Sequence, residues 1–474
     1  MDEAPILVWF RQDLRLIDNP ALAFALRAAK GRRPVLPIYL WTPAEEGEAA
    51  PGAAARWWLH HALADLAAQL EAAGLGLTLQ QGRSALALLQ TLIEQTRADT
   101  LCWNRRYEPG VRIRDGMIKR TLQARGVTVR SFNSALLHEP MAVLRDNQAP
   151  YKVFSAYRRA AERLPKPGPV ALPAMPVVAP ALQLHGVALT ALELLPRRRW
   201  DEGLARAWQP TLAGGHALLQ RFLQQLDGYG ERRDLPAAEG TSRLSPYLHV
   251  GQLGPRQLWQ ALASRPGAGA AKFASELYWR EFSYYLLMHN PQMQQAPLQP
   301  RFERLRWREA PDDLAAWQRG QTGYPLVDAG MRQLWQSGWM HNRVRMVVAS
   351  FLTKHLLLPW QAGAAWFWDT LVDADLANNS QGWQWTAGCG VDASPYTRIF
   401  NPTLQGRRFD ADGRYIRRYV PELARLPDRY LHEPAAAPAA VLVAAGLHLG
   451  RDYPQPIVPH GEARERALTA YAAL

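Results

Sequence analysis

The stretch ILVWFRQDLRLIDNPALAFALRAAKGRRPVLPIYL, residues 6–40, places an amphipathic run between two short apolar ones. Residues 6–10 and 35–40 have the composition of buried strands. Asn19 followed by Pro20 is typical of the N-cap and first position of a helix. A strand, a helix and a strand in this order predict the β-α-β unit of a parallel sheet.

The same alternation continues to about residue 132. Further strands are predicted at residues 75–79, 100–103 and 127–132, with helices at about 53–73, 84–97 and 110–125. We therefore predict an α/β domain over residues 1–135, a doubly wound parallel sheet whose ligands bind beyond the carboxyl ends of the strands. No Gly-x-Gly-x-x-Gly follows the first strand, which argues against an ordinary NAD(P) site.

The pattern changes after the predicted sheet. Residues 136–210 contain proline-rich runs at 164–169 and 173–180, which indicate a long extended linker. From Gly214 onward the apolar residues follow helical spacing and no strand pattern appears. We predict a large all-α domain over residues 211–474, so the fold class is α/β plus all-α.

The charge balance favours a polyanionic partner. The 474 residues include 55 Lys and Arg against 42 Asp and Glu, a net charge of +13. Basic side chains that contact phosphates release counterions from DNA or RNA, which stabilises the complex. The alternative is a GC-rich genome that uses Arg freely.

Cysteine usage and the N-terminus predict a cytoplasmic protein. Cys102 and Cys389 are the only cysteines, too few for a disulfide framework or a cysteine-based metal site. The acidic first residues do not form a signal peptide, and no uncharged apolar run has membrane-spanning length.

Tryptophans are concentrated in one part of the chain. Nine of the 18 lie between Trp307 and Trp385, and Trp383-Gln384-Trp385 follows the polar run 373–382. Indoles beside polar groups are suited to stack on a nucleobase or a planar cofactor. A helical core rich in tryptophan is the alternative, and it applies to most of the nine.

Four polar groupings are candidates for a site, each with a plainer alternative. Residues 240–245, with two Ser, one Thr and one Arg, suit a pyrophosphate or a simple helix cap. Asp373 and Asp375 could be a carboxylate pair for acid–base work or a metal site, but no third ligand has metal-like spacing, so pairing with Arg345 is expected. Helical spacing groups two further sets, each on one face: Glu276, Trp279, Arg280 and Ser283, and Asn342, Arg345 and Met346. The first set could be a surface ion pair around an indole, and the second a core helix that carries two solvated arginines.

Five segments in order along the chain resemble the photolyase/cryptochrome family, most closely its bacterial class I members. They are VWFRQDLR at 8–15, EGTSRLS at 239–245, WREF at 279–282, GWMHNR at 338–343 and GWQW at 382–385. The likeness extends from about residue 6 to the segment YPQPIV at 453–458. It implies an α/β antenna domain joined to a helical domain that binds FAD.

The resemblance assigns cofactor roles position by position. Tyr229 and the run Thr241, Ser242, Arg243, Leu244 and Ser245 would hold the phosphates and ribityl chain of FAD. Arg345, Asp373 and Asp375 would line the isoalloxazine ring, and Asn379 would face its reactive central nitrogen. Trp307, Trp360 and Trp383 match the family's electron-transfer chain of indoles.

The resemblance also assigns the DNA side of the site. Trp279 and Trp385 would flank a flipped-out pyrimidine pair. The rest of the DNA-binding pocket would come from Glu276, Arg280, Asn342, Arg343 and Met346. The residues expected to act catalytically are Glu276, Asn342, Met346 and Asn379, and no metal is expected.

Single positions indicate which lesion is repaired. Family members that repair six-four photoproducts have histidines at the positions of Asn342 and Met346, and neither residue can do acid–base work. Trp385 remains where the single-strand-preferring branch has Tyr, and plant cryptochromes have Asp where this chain has Asn379. With the chain ending at Leu474, close after the last family segment, these features predict a light-driven lyase for cyclobutane pyrimidine dimers.

One departure from the family concerns the antenna. Folate-binding members have a glutamate after the segment that corresponds to Tyr107-Glu108, whereas this chain has Pro109-Gly110-Val111. A deazaflavin or FMN is therefore expected rather than folate, if a second chromophore is present. The expected partner is UV-damaged DNA, with no membrane and a monomeric enzyme. The alternatives are a cryptochrome-type light receptor, a six-four photolyase and a light-independent single-strand binder.

Overall fold

The computed structural model describes residues 4–173 and 184–474, and the N-terminal part of this chain is a five-stranded parallel sheet. The strands are β1 Ile6–Phe10, β2 Val35–Trp41, β3 Thr78–Gln81, β4 Thr100–Asn104 and β5 Thr128–Phe132. Their order is β3-β2-β1-β4-β5, so the strand order reverses between β1 and β4. Ligands of such sheets bind at this switch point. The predicted doubly wound parallel sheet is confirmed.

Helices that connect the strands follow the predicted periodicity closely. They are α1 Pro20–Ala29, α2 Ala53–Ala72, α3 Ala85–Thr96 and α4 Pro109–Ala124. Asn19 caps α1 as expected, because its side chain accepts a hydrogen bond from the Leu22 N–H at 3.1 Å. All residues of β1 are buried, as in a parallel strand covered on both faces.

Strand β3 begins three residues later than predicted. Leu75 instead completes the end of α2, where its N–H donates to the Leu70 carbonyl at 2.8 Å and Gly74 has a left-handed φ of 76°. This bond satisfies a carbonyl of the last helical turn. The apolar character of residues 75–79 therefore reflects both a helix end and the start of a strand.

The segment predicted as a linker contains a helix that the sequence analysis did not identify. Helix α5 spans Phe154–Arg163, and Phe154, Tyr157 and Ala161 form its buried side. Their spacing of three and four residues is helical, but the helix is short and bounded by prolines. Residues 164–169 form no helix or strand, and residues 174–180 of the second proline-rich run lie outside the described residues.

From residue 184 onward the described chain is helical and has no strand, apart from one bridge between Leu449 and Tyr453. The helices are α6 Glu202–Ala207, α7 Leu212–Gln224, α8 Tyr229–Arg232, α9 Ser245–His249, α10 Pro255–Ala263, α11 Ala268–His289, α12 Pro311–Arg319, α13 Pro325–Ser337, α14 Asn342–Ser350, α15 Trp360–Thr370, α16 Leu376–Ala387, α17 Pro402–Phe409, α18 Arg414–Tyr419, α19 Asp428–Leu431, α20 Ala439–Ala444 and α21 His460–Ala472. A π-helical turn at Phe351–His355 follows α14.

The chain divides into two compact units. The first unit comprises Met1–Gln224, Ser242–Pro291 and Val372–Leu376, and contains the sheet together with α9, α10 and α11. The second unit comprises Gln225–Thr241, Gln292–Leu371 and Ala377–Leu474.

A buried carboxylate connects distant segments of the second unit. Asp328 in α13 accepts hydrogen bonds from the Thr322 N–H and hydroxyl, both at 2.7 Å, and from the Tyr453 hydroxyl at 2.6 Å. Burial raises the pKa of Asp328, although these donors act against it. The family-like segment at 453–458 is therefore held to α13 by hydrogen bonds inside the core.

We expect Gly363→Ala to destabilise the second unit. A methyl group on Gly363 in α15 would lie 2.1 Å from the Trp383 ring, and Trp383 is buried and rigid. Overpacking of this kind costs about 1–3 kcal/mol. Urea denaturation followed by circular dichroism measures the loss.

The matched control is Gly382→Ala. Gly382 is exposed in α16 with no heavy atom within 4 Å of the added methyl group. Alanine is the better helix former by about 1 kcal/mol, so this variant should be at least as stable as the parent. Equal unfolding midpoints for the two variants would contradict the packing argument.

Candidate functional site

The polar run at 241–245 has a fixed local conformation. The Ser242 hydroxyl accepts a hydrogen bond from the Leu244 N–H at 3.4 Å, which forms a local turn, whereas α9 has Leu244 at its N-cap and no side-chain cap. Arg243 has a left-handed φ of 53°, and its guanidinium lies 4.2 Å from the centroid of the Trp208 ring. In the second unit, Tyr229 is buried, with the Arg233 guanidinium 5.4 Å from its ring centroid.

Asp375 is a largely buried carboxylate, with 12% of its side chain exposed, and has two partners in the first unit. The Tyr284 hydroxyl donates a hydrogen bond to Asp375 Oδ2, and His249 Nδ1 lies 3.8 Å from the same oxygen. Burial alone would raise the pKa of Asp375, but His249, Arg280 and Tyr284 outweigh it and hold the pKa well below its usual range. Asp375 is therefore an ionised hydrogen-bond acceptor. Pairing of either aspartate with Arg345 stays a prediction.

Helix α11 presents Trp279 in a defined orientation. The Trp279 ring stacks on Phe154 with centroids 3.7 Å apart and planes 8° from parallel. This contact covers one face of the indole. The Ser283 hydroxyl donates to the Trp279 carbonyl at 3.0 Å, so Ser283 belongs to the helix and not to a pocket.

Two further residues hold α11 to the segment that follows β5. Arg280 Nη1 donates to the Ala135 carbonyl at 2.7 Å. The Glu281 carboxylate accepts from the N–H groups of Leu137, at 2.9 Å, and His138, at 3.2 Å. Burial raises the pKa of Glu281 to about 7, although Arg280 and these N–H groups lower it. The orientation of α11 is therefore fixed at its centre.

Helix α14 brings Asn342 and Met346 together, as their spacing predicted. The Asn342 side-chain amide lies 4.0 Å from the Met346 sulfur. Arg343 forms an ion pair with Asp234 at 2.9 Å and lies over the Phe409 ring at 4.5 Å. Arg345 Nε donates to the Met340 carbonyl at 2.8 Å. Neither arginine is simply solvated, so this helix differs from a core helix that carries two solvated arginines.

Helices α15 and α16 place Trp383 in the core of the second unit. Trp383 contacts Phe367 edge-on at 5.0 Å and lies against Gly363. On the same helix pair, the Asn379 side-chain amide donates to the Ala364 carbonyl at 3.0 Å, which fixes that amide. Trp360 is buried, whereas Trp307 and Trp385 are half-buried.

The Gln384 side chain has a structural role that the sequence analysis missed. It is fully buried, its oxygen accepts from the Leu298 N–H at 2.8 Å, and its nitrogen donates to the Met293 carbonyl at 2.6 Å. These bonds fix the rotation of α16 about its axis. Only its position between two candidate tryptophans could have drawn attention to it.

A cleft lies at the carboxyl ends of β1 and β2, beside the switch point between β1 and β4. It encloses about 580 Å³, part of it open to solvent, and Trp9, Tyr39 and Trp41 contribute aromatic walls. Arg106 lies on its polar side and pairs with Glu46 and with Glu108, both at 2.8 Å. No local sequence pattern indicated Arg106 or Glu46, because their pairing spans 60 residues.

The candidate residues are distributed over the two units. The first unit contains Ser242, Arg243, Leu244, Ser245, Glu276, Trp279, Arg280, Asp373 and Asp375. The second contains Tyr229, Thr241, Trp307, Asn342, Arg343, Arg345, Met346, Trp360, Asn379, Trp383 and Trp385. Phe154, Tyr284 and His249 join the candidates of the first unit through the contacts above.

Two features are absent from the described part of the chain. Within residues 4–173 and 184–474, no three His, Cys, Asp or Glu side chains are arranged to hold a metal ion. Over the same residues, no helix is both long and apolar enough to cross a membrane.

Comparison with known proteins gives matches along nearly the whole chain. A family profile described as DNA photolyase matches residues 6–177, and one described as the FAD binding domain of DNA photolyase matches residues 273–473. The deoxyribodipyrimidine photo-lyase of Agrobacterium fabrum is 48% identical over 478 residues, which cover 99% of this chain and 98% of the relative. Cryptochrome-2 of Arabidopsis thaliana is 38% identical over 98% of this chain and 78% of its own length.

A solved relative has the same fold. The crystal structure of a bacterial class III photolyase from Agrobacterium tumefaciens superposes with a TM-score of 0.95 at 47% identity, covering 100% of this chain and 98% of that one. The sequence segments alone had suggested a likeness to class I enzymes. The sheet, the helical half and these matches together show that the chain belongs to the photolyase/cryptochrome family.

Proposed function

We propose that this chain is a DNA photolyase that uses light to split cyclobutane pyrimidine dimers. The relative that is 48% identical bears the name deoxyribodipyrimidine photo-lyase. The observation that carries the choice of lesion is the contact between Asn342 and Met346, since this pair has no group that donates or accepts a proton near neutral pH. When bound, reduced FAD would supply, after absorbing light, the electron that splits the cyclobutane ring, and that electron would then return to the flavin.

The residues proposed to hold FAD offer the chemical groups that a flavin dinucleotide requires. Hydroxyls and a guanidinium at 241–245 suit a pyrophosphate. Asp375, held ionised, can accept a hydrogen bond from a ring N–H, and the anchored amide of Asn379 is a fixed polar group. The full proposed set is Tyr229, Thr241, Ser242, Arg243, Leu244, Ser245, Arg345, Asp373, Asp375 and Asn379.

The proposed DNA pocket takes the lesion out of the duplex. Photolyases are among the enzymes that extrude their target base, at a cost of about a few kcal/mol. Because Phe154 covers one face of Trp279, the opposite face is the one proposed to stack on the dimer. Trp385 is proposed as the second stacking residue, with Glu276, Arg280, Asn342, Arg343 and Met346 around them.

The proposed electron relay runs through Trp307, Trp360 and Trp383. Burial supports this order, since Trp383 and Trp360 are buried and Trp307 is half-buried. An indole at the surface exchanges charge with solvent or an external donor, whereas a buried indole lacks that contact. Gly363, one helical turn from Trp360, lies against Trp383, which supports a close approach of these two residues.

We also propose that a second chromophore binds in the cleft at β1 and β2. Aromatic walls from Trp9, Tyr39 and Trp41 suit a flat ring. Val111 is buried in α4, and neither it nor Gly110 supplies a carboxylate for a pterin. We propose a deazaflavin or FMN in preference to a folate.

A cryptochrome-type light receptor is the second candidate, because Cryptochrome-2 is 38% identical to this chain. Asn379 and the pair Trp279 and Trp385 favour repair over signalling. We further propose that the enzyme is monomeric and cytoplasmic, and that its domain boundaries lie near residues 135 and 210.

The lesion assignment is tested with two substrates. Reduced enzyme is illuminated with oligonucleotides that contain either a cyclobutane dimer or a six-four photoproduct, and products are separated by chromatography. We expect the cyclobutane dimer alone to be reversed, because Asn342 and Met346 supply no acid or base. Efficient reversal of the six-four product would overturn the assignment.

Loss of either proposed stacking residue should weaken binding of damaged DNA. Stacking of a base on an aromatic ring is worth about 1–3 kcal/mol, so Trp279→Ala and Trp385→Ala should each raise the Kd about 5- to 150-fold. Phe154→Leu should give a smaller loss in the same direction, because it removes the support of Trp279. Binding to undamaged DNA should change little, since it rests on phosphate contacts.

The control for these variants is Trp335→Ala. Trp335 is 57% exposed and stacks on Trp366, and it is not proposed to contact the lesion. Fluorescence anisotropy competition gives all Kd values. Losses of equal size for damaged and undamaged DNA would count against the stacking roles.

Trp383→Phe should block photoreduction of oxidised FAD, because phenylalanine is much harder to oxidise than tryptophan. The same variant, reduced chemically beforehand, should still repair dimers. Trp103→Phe, which also alters a buried indole, should photoreduce normally. Flavin absorbance during illumination is the measurement, and photoreduction of the Trp383 variant at the parent rate would remove Trp383 from the relay.

A further inference from the structure

The side chains of Tyr284 and His249, which have no part in the proposed FAD or DNA sites, contact the same oxygen of Asp375. The Tyr284 hydroxyl donates to Oδ2, and His249 Nδ1 lies 3.8 Å from it. Tyr284 belongs to the long helix α11, and His249 is the last residue of α9. Contacts from two separate elements restrict the orientation of a carboxylate more than either would alone.

The hydrogen bond from Tyr284 has a defined direction. Burial, together with the neighbouring Asp375 charge, raises the pKa of Tyr284 well above its ordinary value. The hydroxyl therefore keeps its proton and acts as the donor. The Arg280 guanidinium lies over the Tyr284 ring, 5.0 Å from its centroid, and packs against the ring face.

A polar cavity borders this group. Its wall includes Asp13, Arg106, His249, Arg280 and Tyr284, and it encloses about 350 Å³, part of it open to solvent. His249 also lines the cleft at β1 and β2. Tyr284 and His249 therefore both line polar space and contact the Asp375 carboxylate.

We propose that Tyr284 and His249 are positioning residues that hold Asp375 as an oriented carboxylate and thereby set the affinity and the reduction potential of bound FAD. This inference rests on the proposed function, which assigns Asp375 to the isoalloxazine ring. A fixed negative charge beside the ring opposes the addition of electrons and so lowers the reduction potential. A correctly oriented acceptor also favours binding of a ring N–H.

Tyr284→Phe tests the role of the hydroxyl. Without this donor the Asp375 carboxylate is more readily protonated, so the midpoint potential of bound FAD should rise. Release of FAD should become about tenfold or more faster, since a hydrogen bond to a charged group is lost. Redox-dye titration followed by flavin absorbance gives the potential, and gel filtration gives the retained FAD.

Tyr285→Phe is the matched control on the same helix. Tyr285 is equally buried, and its hydroxyl accepts a hydrogen bond from the Tyr151 N–H at 2.7 Å, away from Asp375. This variant should lose stability without a change in the potential. His249→Gln, which keeps a hydrogen-bond donor, should shift the potential less than His249→Ala. These two variants test the inference independently if Tyr284→Phe does not fold.

A double-mutant cycle separates a positioning role from a general structural one. In the Asp375→Asn background, Tyr284→Phe should add no further shift in potential, because the charge it controls is absent. Additive shifts in the double mutant would overturn this inference. So would FAD-loaded Tyr284→Phe and His249→Ala variants whose potentials equal that of the parent protein. Either outcome would leave the proposed function standing. Parent protein that neither retains FAD nor repairs dimers would overturn the proposed function instead.

Discussion

The cost of removing charge from water is the constraint on which the site in the first unit depends. A buried ion loses several kcal/mol of hydration, which only close partners return. Arg11 follows β1 and is 5% exposed, and burial lowers its pKa despite the ion pair with Asp115. Arg106, after β4, lies between Glu46 and Glu108, and 11% of its side chain is exposed. Pairing of these charges shapes the cleft before any ligand binds.

The same constraint distinguishes Asp328 from Asp375. Asp328 is surrounded by neutral donors from Thr322 and Tyr453, and burial raises its pKa. Asp375 is also largely removed from solvent, yet its pKa is held low, because its contacts with His249 and Tyr284 and the nearby Arg280 guanidinium favour the ionised form. A carboxylate that neutral donors satisfy suits a structural link, whereas one that is kept ionised suits recognition of a ligand.

Local sequence patterns predicted the fold better than they predicted the site. Asn19, Pro20 and the strand–helix alternation act within a few residues, so the sheet and helices α1 to α4 followed from periodicity. The stack of Trp279 on Phe154 joins residues 125 positions apart, and the bond from Tyr284 to Asp375 spans 91. No spacing rule reveals such contacts, so Phe154, Tyr284 and His249 were not foreseen. Helix α5 was missed because its buried face has only three residues and a proline-rich run follows it directly.

Helix α16 explains how neighbouring residues serve different purposes. Successive side chains on a helix differ by about 100° in direction, so Trp383 and Trp385 cannot face the same environment. Gln384, between them, is fixed by hydrogen bonds to the backbone at residues 293, 296 and 298. Once its rotation is set, Trp383 lies against Gly363 in the core and Trp385 remains half-buried. A single buried amide therefore orients both the residue proposed for electron transfer and the residue proposed to stack on the lesion. A small rotation of α16 would displace both at once.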